Sequence, residues 1–414
     1  MRRYNPLMPS PTRHWVPALA WVAVIYTTIP FVRELREWFV ARWDPAWIGL
    51  AVATVLVAAA GATVMLLRHR AHELRRGAPL WIIGVTTVMV LWTFSLRRSP
   101  EEAVHLLEYG VLAILLHRAL RPTMPNNLVF IAAALIGALV GTVDEVIQWI
   151  SPSRYWDWRD LVLNGGVGAL AQLMLWRIVS PPARPYDPRS LRIVLRLTVA
   201  QLVLLALCLS NTPARVARYA PYLPNSDHLT TSLNPMAEYG HRHTVPGLGV
   251  FTSRLTLEEL GSEDDTRAVE VAALVDDTRH RYGEFLDTWP VSEDPYTYEM
   301  RVHLFARDRN LGKARKREFS GALARDQLTV AWYENRLLEQ FFTATLVDSA
   351  YVWNQRLRQR VESGKDPECR FRSAAGSHLI TFASERLLRF ALLLVVAAMI
   401  VTDLWMGRSH RRKQ

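Results

Sequence analysis

LVFIAAALIGALVGTVDEVIQWI, residues 128–150, is the stretch on which the fold turns. At ~1.5 Å of rise per residue it is long enough to cross a hydrocarbon core of about 30 Å, and it contains no Lys or Arg. Its last two turns nevertheless hold Asp144, Glu145 and Gln148. An ionised side chain in lipid costs about 2.5–3.5 kcal/mol on insertion scales, so these groups must face protein or water. The run reads as a membrane helix with a polar end.

Seven further runs of the same character surround it: Trp15–Val32, Trp47–Leu67, Leu80–Leu96, Ala103–Leu120, Asp160–Val179, Ile193–Leu209 and Leu387–Met406. The first follows Arg2 and Arg3 but ends in Ile29-Pro30-Phe31-Val32, without a small-residue cleavage site, so it is expected to be retained. Lys and Arg of membrane proteins gather in cytoplasmic loops. Arg13, Arg68, Arg70, Arg75, Arg76, Arg118, Arg121, Arg177, Arg184, Arg189, Arg192, Arg408, Arg411, Arg412 and Lys413 all fall on one side of an eight-helix count. Both termini are therefore expected in the cytoplasm, with residues 210–383 on the other side of the membrane. Arg33, Arg36, Arg97 and Arg98 are exceptions in short outer loops.

The chain of 414 residues carries a net charge of +11, which could suggest a nucleic-acid partner. Mapping the charge removes that reading. Residues 210–383 carry 22 Lys/Arg against 24 Asp/Glu, so the whole basic excess lies between the apolar runs. It describes membrane topology, and no nucleic acid is expected.

The fold class expected is a polytopic α-helical membrane protein of about eight transmembrane helices with one α+β extracytoplasmic domain. A cytoplasmic N-terminus covers 1–14 and a seven-helix membrane domain covers 15–209. The extracytoplasmic domain covers 210–383, a returning helix 384–406 and a basic tail 407–414. Within 210–383, Tyr298, Met300, Val302 and Leu304 alternate along Tyr298–Phe305, the period of a strand. Asp265–Phe285 and Gln327–Glu362 read as amphipathic helices, and His378–Phe382 as a short strand. Ser180–Pro188, with its prolines, reads as a linker.

Polar residues recur at one depth of three runs. His105, Glu108 and Tyr109 stand at i, i+3 and i+4 and share a helix face. Asp144, Glu145 and Gln148 close the next run, and Asp160 and Asn164 open the one after it. Arg154 and Asp157 lie in the loop between. Several such residues at a shared depth imply a polar cleft open to the outer side.

The ordered set His105-Leu-Leu-Glu108-Tyr109, Asp144-Glu145-Val-Ile-Gln148, Ser-Pro-Ser-Arg154 and Asp160-Leu-Val-Leu-Asn164 resembles the VanZ-like family over about residues 80–180. Where many relatives carry Asp-Lys before the His, this chain has Glu101-Glu102. The resemblance implies a bacterial envelope protein, and the family's founding member is associated with low-level teicoplanin resistance. It fixes no reaction.

Three readings stay open. In an enzyme acting on a lipid-linked precursor, Glu145 or Asp160 would be general base and His105 general acid. In a binding protein, Glu108, Tyr109, Asp144, Gln148, Arg154, Asp157 and Asn164 would hold a membrane lipid or a lipid-linked cell-wall precursor, with the Arg154 fork on phosphate or carboxylate. In a structural protein, Arg154 pairs with Asp157 or Asp160, and the other groups tie helices together while 210–383 docks an envelope protein partner. No cofactor or metal is expected. His241 and His243, with Asp227 and His228 upstream, read as solvated histidines sooner than ligands, for want of a spaced third group. Gly247-Leu-Gly249 is a fragment of a nucleotide loop, and Lys313–Arg317 an outward basic run. Cys208 and Cys369 are a disulfide candidate in an oxidising compartment.

Overall fold

The computed structural model describes residues 11–44, 46–68, 77–96, 100–152, 154–178, 187–223, 226–229, 235–277, 280–316, 321–367 and 369–411. Arg2, Arg3, Arg70, Arg75, Arg76, Arg97, Arg98, Arg184, Arg317, Arg412, Lys413 and most of the Ser180–Pro188 linker lie outside the described residues. So do the side chains of Arg33, Arg36, Arg68, Glu101, Asp227 and Arg411. The chain divides into two compact units, Met1–Leu207 with Ala391–Gln414, and Cys208–Phe390.

The first unit holds α1 (Val16–Val40), α2 (Ala46–Arg68), α3 (Ala78–Ser95), α4 (Val104–Leu120), α5 (Leu128–Ile150) and α6 (Trp158–Ile178), with most of α7 (Pro188–Leu209). Eight helices occupy the eight expected runs once α15 (Glu385–Arg411) is included. Six of them are long and apolar enough to cross a membrane: α2, α3, α5, α6, α7 and α15. The apolar part of α1 is the shorter Val16–Phe31, and the 17 residues of α4 include His105 and Glu108. α1 runs eight residues beyond the expected end at Val32 and carries Arg33 and Arg36, which therefore stand on a helix and not in a loop.

Polar side chains tie this bundle together as interhelical bonds do where lipid offers no alternative partner. The Trp21 indole donates to the Glu108 carbonyl at 2.9 Å, and the Tyr26 hydroxyl to that of Val140 at 3.0 Å, pinning α1 on α4 and α5. Gln172 on α6 donates to the Ala113 carbonyl of α4 at 2.6 Å. Two glycines permit close approach: a Cβ on Gly166 would stand 2.8 Å from the Trp92 ring, and one on Gly141 2.8 Å from the Cβ of Asn164. On α7 and α15, Arg192 and Arg196 both bond Asp403, at 2.8 and 3.0 Å.

The second unit begins with α8 (Pro213–Tyr219) and a hairpin of β1 (His241–Val245) and β2 (Gly249–Ser253). It continues through α9 (Leu257–Asp276), α10 (Tyr282–Thr288), α11 (Pro295–Ala314), α12 (Ala322–Phe341), α13 (Thr343–Asp348) and α14 (Gln355–Gly364). Of the described residues 76% are helical, and the antiparallel pair is the one sheet among them, so the sheet content expected of 210–383 shrinks to a single hairpin.

The strand expected at Tyr298–Phe305 is corrected to helix. Asp294 caps it by accepting from the Thr297 N–H at 3.0 Å, Pro295 sits in its first turn, and Tyr296, Met300, His303, Leu304, Arg307 and Leu311 are buried at helical spacing. The alternation seen in the sequence was the overlap of two such stripes. The expected helix Asp265–Phe285 is two helices, with α9 starting earlier at the Thr256–Glu259 capping box. Gln327–Glu362 is three, broken at Phe342 and at Ser349–Asn354. His378–Phe382 forms only an isolated bridge, Ile380 to Tyr239.

The hairpin explains Gly247-Leu-Gly249, which is its turn. Gly247 has φ +75°, and Gly249 has φ +118° with no room for a Cβ against the Phe371 carbonyl. His243 Nε2 donates to the Leu255 carbonyl at 3.0 Å, and burial lowers the ring's pKa. Cys208 and Cys369 are both free thiols, which corrects the disulfide candidate. Cys208 is buried near the end of α7, whereas the Cys369 carbonyl faces the Tyr333 hydroxyl on α12. Lys313 and Arg315 lie at the C-terminal end of α11, where cations suit the helix dipole.

Candidate functional site

Alternation of chain direction brings the end of α1, the start of α2, the start of α4, the end of α5 and the start of α6 to one end of the first unit. The sequence's polar residues lie there. On α4, His105 Nδ1 stands 3.3 Å from Glu108 Oε2. One position further, the Tyr109 hydroxyl donates to Asp144 Oδ2 on α5 at 2.8 Å. Gln148 donates to Glu145 Oε1 at 3.1 Å, and its own oxygen accepts from Arg154 Nη2. Asp157 caps α6 by accepting from the Arg159 N–H at 2.7 Å, and Arg159 reaches Glu102 at 3.8 Å on the rim.

Asn164 is wholly buried against Gly141, where any side chain would also press on the Tyr109 ring at 3.3 Å. His105, Glu145 and Asp160 are within electrostatic reach of one another, and Arg154 is within reach of Asp160. Arg154 makes no ion pair with Asp157 or Asp160 among the described residues; its hydrogen bond goes to Gln148.

A cleft of about 360 Å³ opens onto this cluster. Five of the ten site residues singled out line it: His105, Glu108, Asp144, Gln148 and Arg154. Tyr109, Glu145, Asp157, Asp160 and Asn164 stand behind or beside that lining. The opposite wall is apolar apart from Thr28 and was not foreseen: Ile25, Thr28, Ile29, Leu35 and Phe39 of α1, with Ile48 of α2. The one signal that could have found part of it is the spacing of Leu35, Trp38 and Phe39, which continues a helical stripe past Pro30.

Buried polar groups are nearly always paired, and exceptions need a reason. Here they accumulate. Asp144 Oδ1, Glu145 Oε2, Arg154 Nε, Asp160 Oδ1 and both amide atoms of Asn164 lack a hydrogen-bond partner. Asp144 is 1% exposed and still lines the cleft. The cluster as built has more hydrogen-bonding capacity than the protein uses. No group of three or more His, Cys, Asp or Glu that could hold a metal ion occurs among the described residues.

Residues 18–180 match the family model described as VanZ/LLP1. This segment is VanZ-like. No curated protein and no solved structure matches the chain. The match begins at residue 18, well before the stretch of 80–180 that carries the sequence resemblance, so the VanZ-like segment includes α1 and α2 and with them the apolar wall. It ends after α6, and residues 181–414 lie outside it. The chain is thus a membrane protein with a VanZ-like segment joined to a second unit of separate character.

Proposed function

We propose that the VanZ-like segment binds the headgroup of a membrane lipid, or of a lipid-linked cell-wall precursor, in the cleft between α1, α4 and α5. One observation carries this reading: a single cavity has an apolar wall on one side and, on the other, a buried carboxylate with an unpartnered oxygen beside an arginine. That division matches a molecule with a charged head and a hydrocarbon tail. Arg13, Arg118, Arg121 and Arg177 belong to the opposite end of the bundle, which supports a cleft on the extracytoplasmic side of a bacterial inner membrane. The second unit would then be extracytoplasmic and free to meet an envelope protein. A role in glycopeptide resistance follows if the occupant is a cell-wall precursor that the antibiotic also recognises.

Binding is favoured over turnover because Glu145 and Asp160, the candidate bases, do not line the cleft while His105 does. The test is lipid extraction and mass spectrometry of the purified full-length protein, wild type against Arg154→Ala. A polyprenyl or phospholipid species is expected with the wild type and depleted several-fold in the variant. Equal lipid content, together with a fall in the variant's abundance, would instead support a cluster that only ties helices together.

A further inference from the structure

The charges around the cleft are unbalanced, and the imbalance says more about the headgroup than its mere presence does. Glu108 and Asp144 face the space, with Glu145 and Asp160 close behind. Arg154 is the fixed cation against them, and His105 is already beside Glu108. Four carboxylates in a low-dielectric site repel one another, and a purely anionic ligand would add to that repulsion. A purely cationic ligand would leave Arg154 with one amide as its partner and its Nε unused. The pattern asks for both signs on one small group.

The kind of cation is also specified. Asp144 Oδ1 is buried and unpartnered while Oδ2 holds the Tyr109 hydroxyl, so what is missing is an N–H or O–H donor and not only positive charge. A primary ammonium supplies three donors; a quaternary one supplies none. The apolar wall of Ile25, Ile29 and Phe39 then provides a surface for hydrocarbon.

We propose that the cleft selects a zwitterionic phospholipid headgroup with a primary ammonium: phosphate on Arg154, ammonium on Asp144 with Glu108 beside it, and chains along α1. This rests on the lipid-binding reading and narrows it to one headgroup chemistry. The experiment is native mass spectrometry of the delipidated full-length protein in detergent, offered equal amounts of dioleoyl phosphatidylethanolamine, phosphatidylcholine and phosphatidylglycerol. Ethanolamine lipid is expected to be retained at least five-fold over the other two. Asp144→Asn is expected to bring that excess close to parity, with Glu108→Gln as a second probe should the first variant fold poorly. Arg154→Ala is expected to weaken all three lipids. Soluble glycerophosphoethanolamine is expected to compete only in large excess.

Equal retention of the three headgroups in the wild type, or preference for phosphatidylglycerol, overturns the headgroup assignment while leaving lipid binding intact. Competition by glycerophosphoethanolamine at parity overturns the lipid assignment in favour of a soluble phosphoamine. Retention of no lipid above the Arg154→Ala level would remove the underlying reading itself.

Discussion

Each unit of this chain buries a cluster of charged and polar side chains, and the two clusters are finished differently. In the second unit Asp264 accepts from the Tyr296 hydroxyl at 2.8 Å, from the backbone N–H groups of Ala344 and Thr345 at 2.8 and 2.9 Å, and from the Thr345 hydroxyl. Glu334 holds His303 Nδ1 at 2.7 Å on one oxygen and the Ser373 hydroxyl at 2.6 Å on the other. Arg254 is clasped between Glu238 and Glu299, and of the eight oxygens on Asp264, Glu238, Glu299 and Glu334 only Glu238 Oε1 lacks a partner. In the VanZ-like segment, Asp144, Glu145, Arg154, Asp160 and Asn164 all keep unpartnered atoms. A closed network specifies a fold, because removing any member orphans the others. An open one is held in place by its surroundings and keeps capacity for something else.

The sharpest way to break this comparison is to cut the closed network. Arg254→Met would leave Glu238 and Glu299 buried without their cation, and losing one partner of a buried pair costs about 3–5 kcal/mol. Thermal denaturation of the full-length protein in detergent should show the second unit's transition falling by roughly 10 °C, on the usual scaling for domains of this size. A change of only a degree or two would mean that this network is as dispensable as the open one. Gly141→Val comes next. Its side chain would enter the space of Asn164 and the Tyr109 ring, and overpacking of this kind costs about 1–3 kcal/mol. Because the Tyr109 hydroxyl holds Asp144 Oδ2, the variant should also lose lipid retention, read in the same mass spectra.

The two regions also differ in how much of them could be read beforehand. Membrane runs are long and repetitive in character, so the sequence placed α5 at Leu128–Ile150, where the structure has it. The polar residues of the site were legible for the same reason, since a carboxylate stands out in an apolar helix. Ile25, Ile29 and Phe39 were not, because an apolar residue on an apolar helix carries no mark of which neighbour it meets. The continuation of α1 beyond Val32 was hidden because Arg33, Glu34, Arg36 and Glu37 end the apolar run there. In the second unit the signals are short: the alternation from Tyr298 to Leu304 fits a strand over a few residues, whereas the start of α11 rests on Asp294 and Pro295, outside that stretch. The break at Phe342 depends on Asp264, some eighty residues earlier, capping α13; no local pattern near 342 reveals it.

Acid should discriminate the clusters more gently. Burial pushes the Glu238 carboxyl up, but the His378 hydrogen bond and Arg254 outweigh it and hold the group below its usual range. Asp294 is likewise lowered, with Arg267 and Thr297 overcoming burial. A carboxylate whose folded pKa is depressed contributes stability above its unfolded pKa, about 4, and loses it as pH falls through the folded value. The second unit's denaturation temperature should therefore hold from pH 7 to about 5 and drop by a few degrees toward pH 3.5. Arg267→Met, which removes the Asp294 share, should flatten that slope; an unchanged slope would assign the acid sensitivity elsewhere.

The smallest expected effect tests the open cluster most directly. Asp144→Asn keeps an oxygen to accept from Tyr109 and replaces the unpartnered Oδ1 by an amide, or the reverse, so no existing hydrogen bond need be lost. It also removes a charge from a site crowded with carboxylates. Its cost in stability should lie within about 1 kcal/mol of zero, in contrast to the loss at Arg254. The measurement is the denaturation temperature of the first unit in lipid-free detergent, where no bound ligand contributes to either protein. A large destabilisation there would mean that the ionised carboxylate is a structural member of the bundle, and the distinction between a finished and an unfinished cluster would fail at its central residue. A neutral result, with headgroup selection lost, would separate what Asp144 does for the fold from what it does for a ligand.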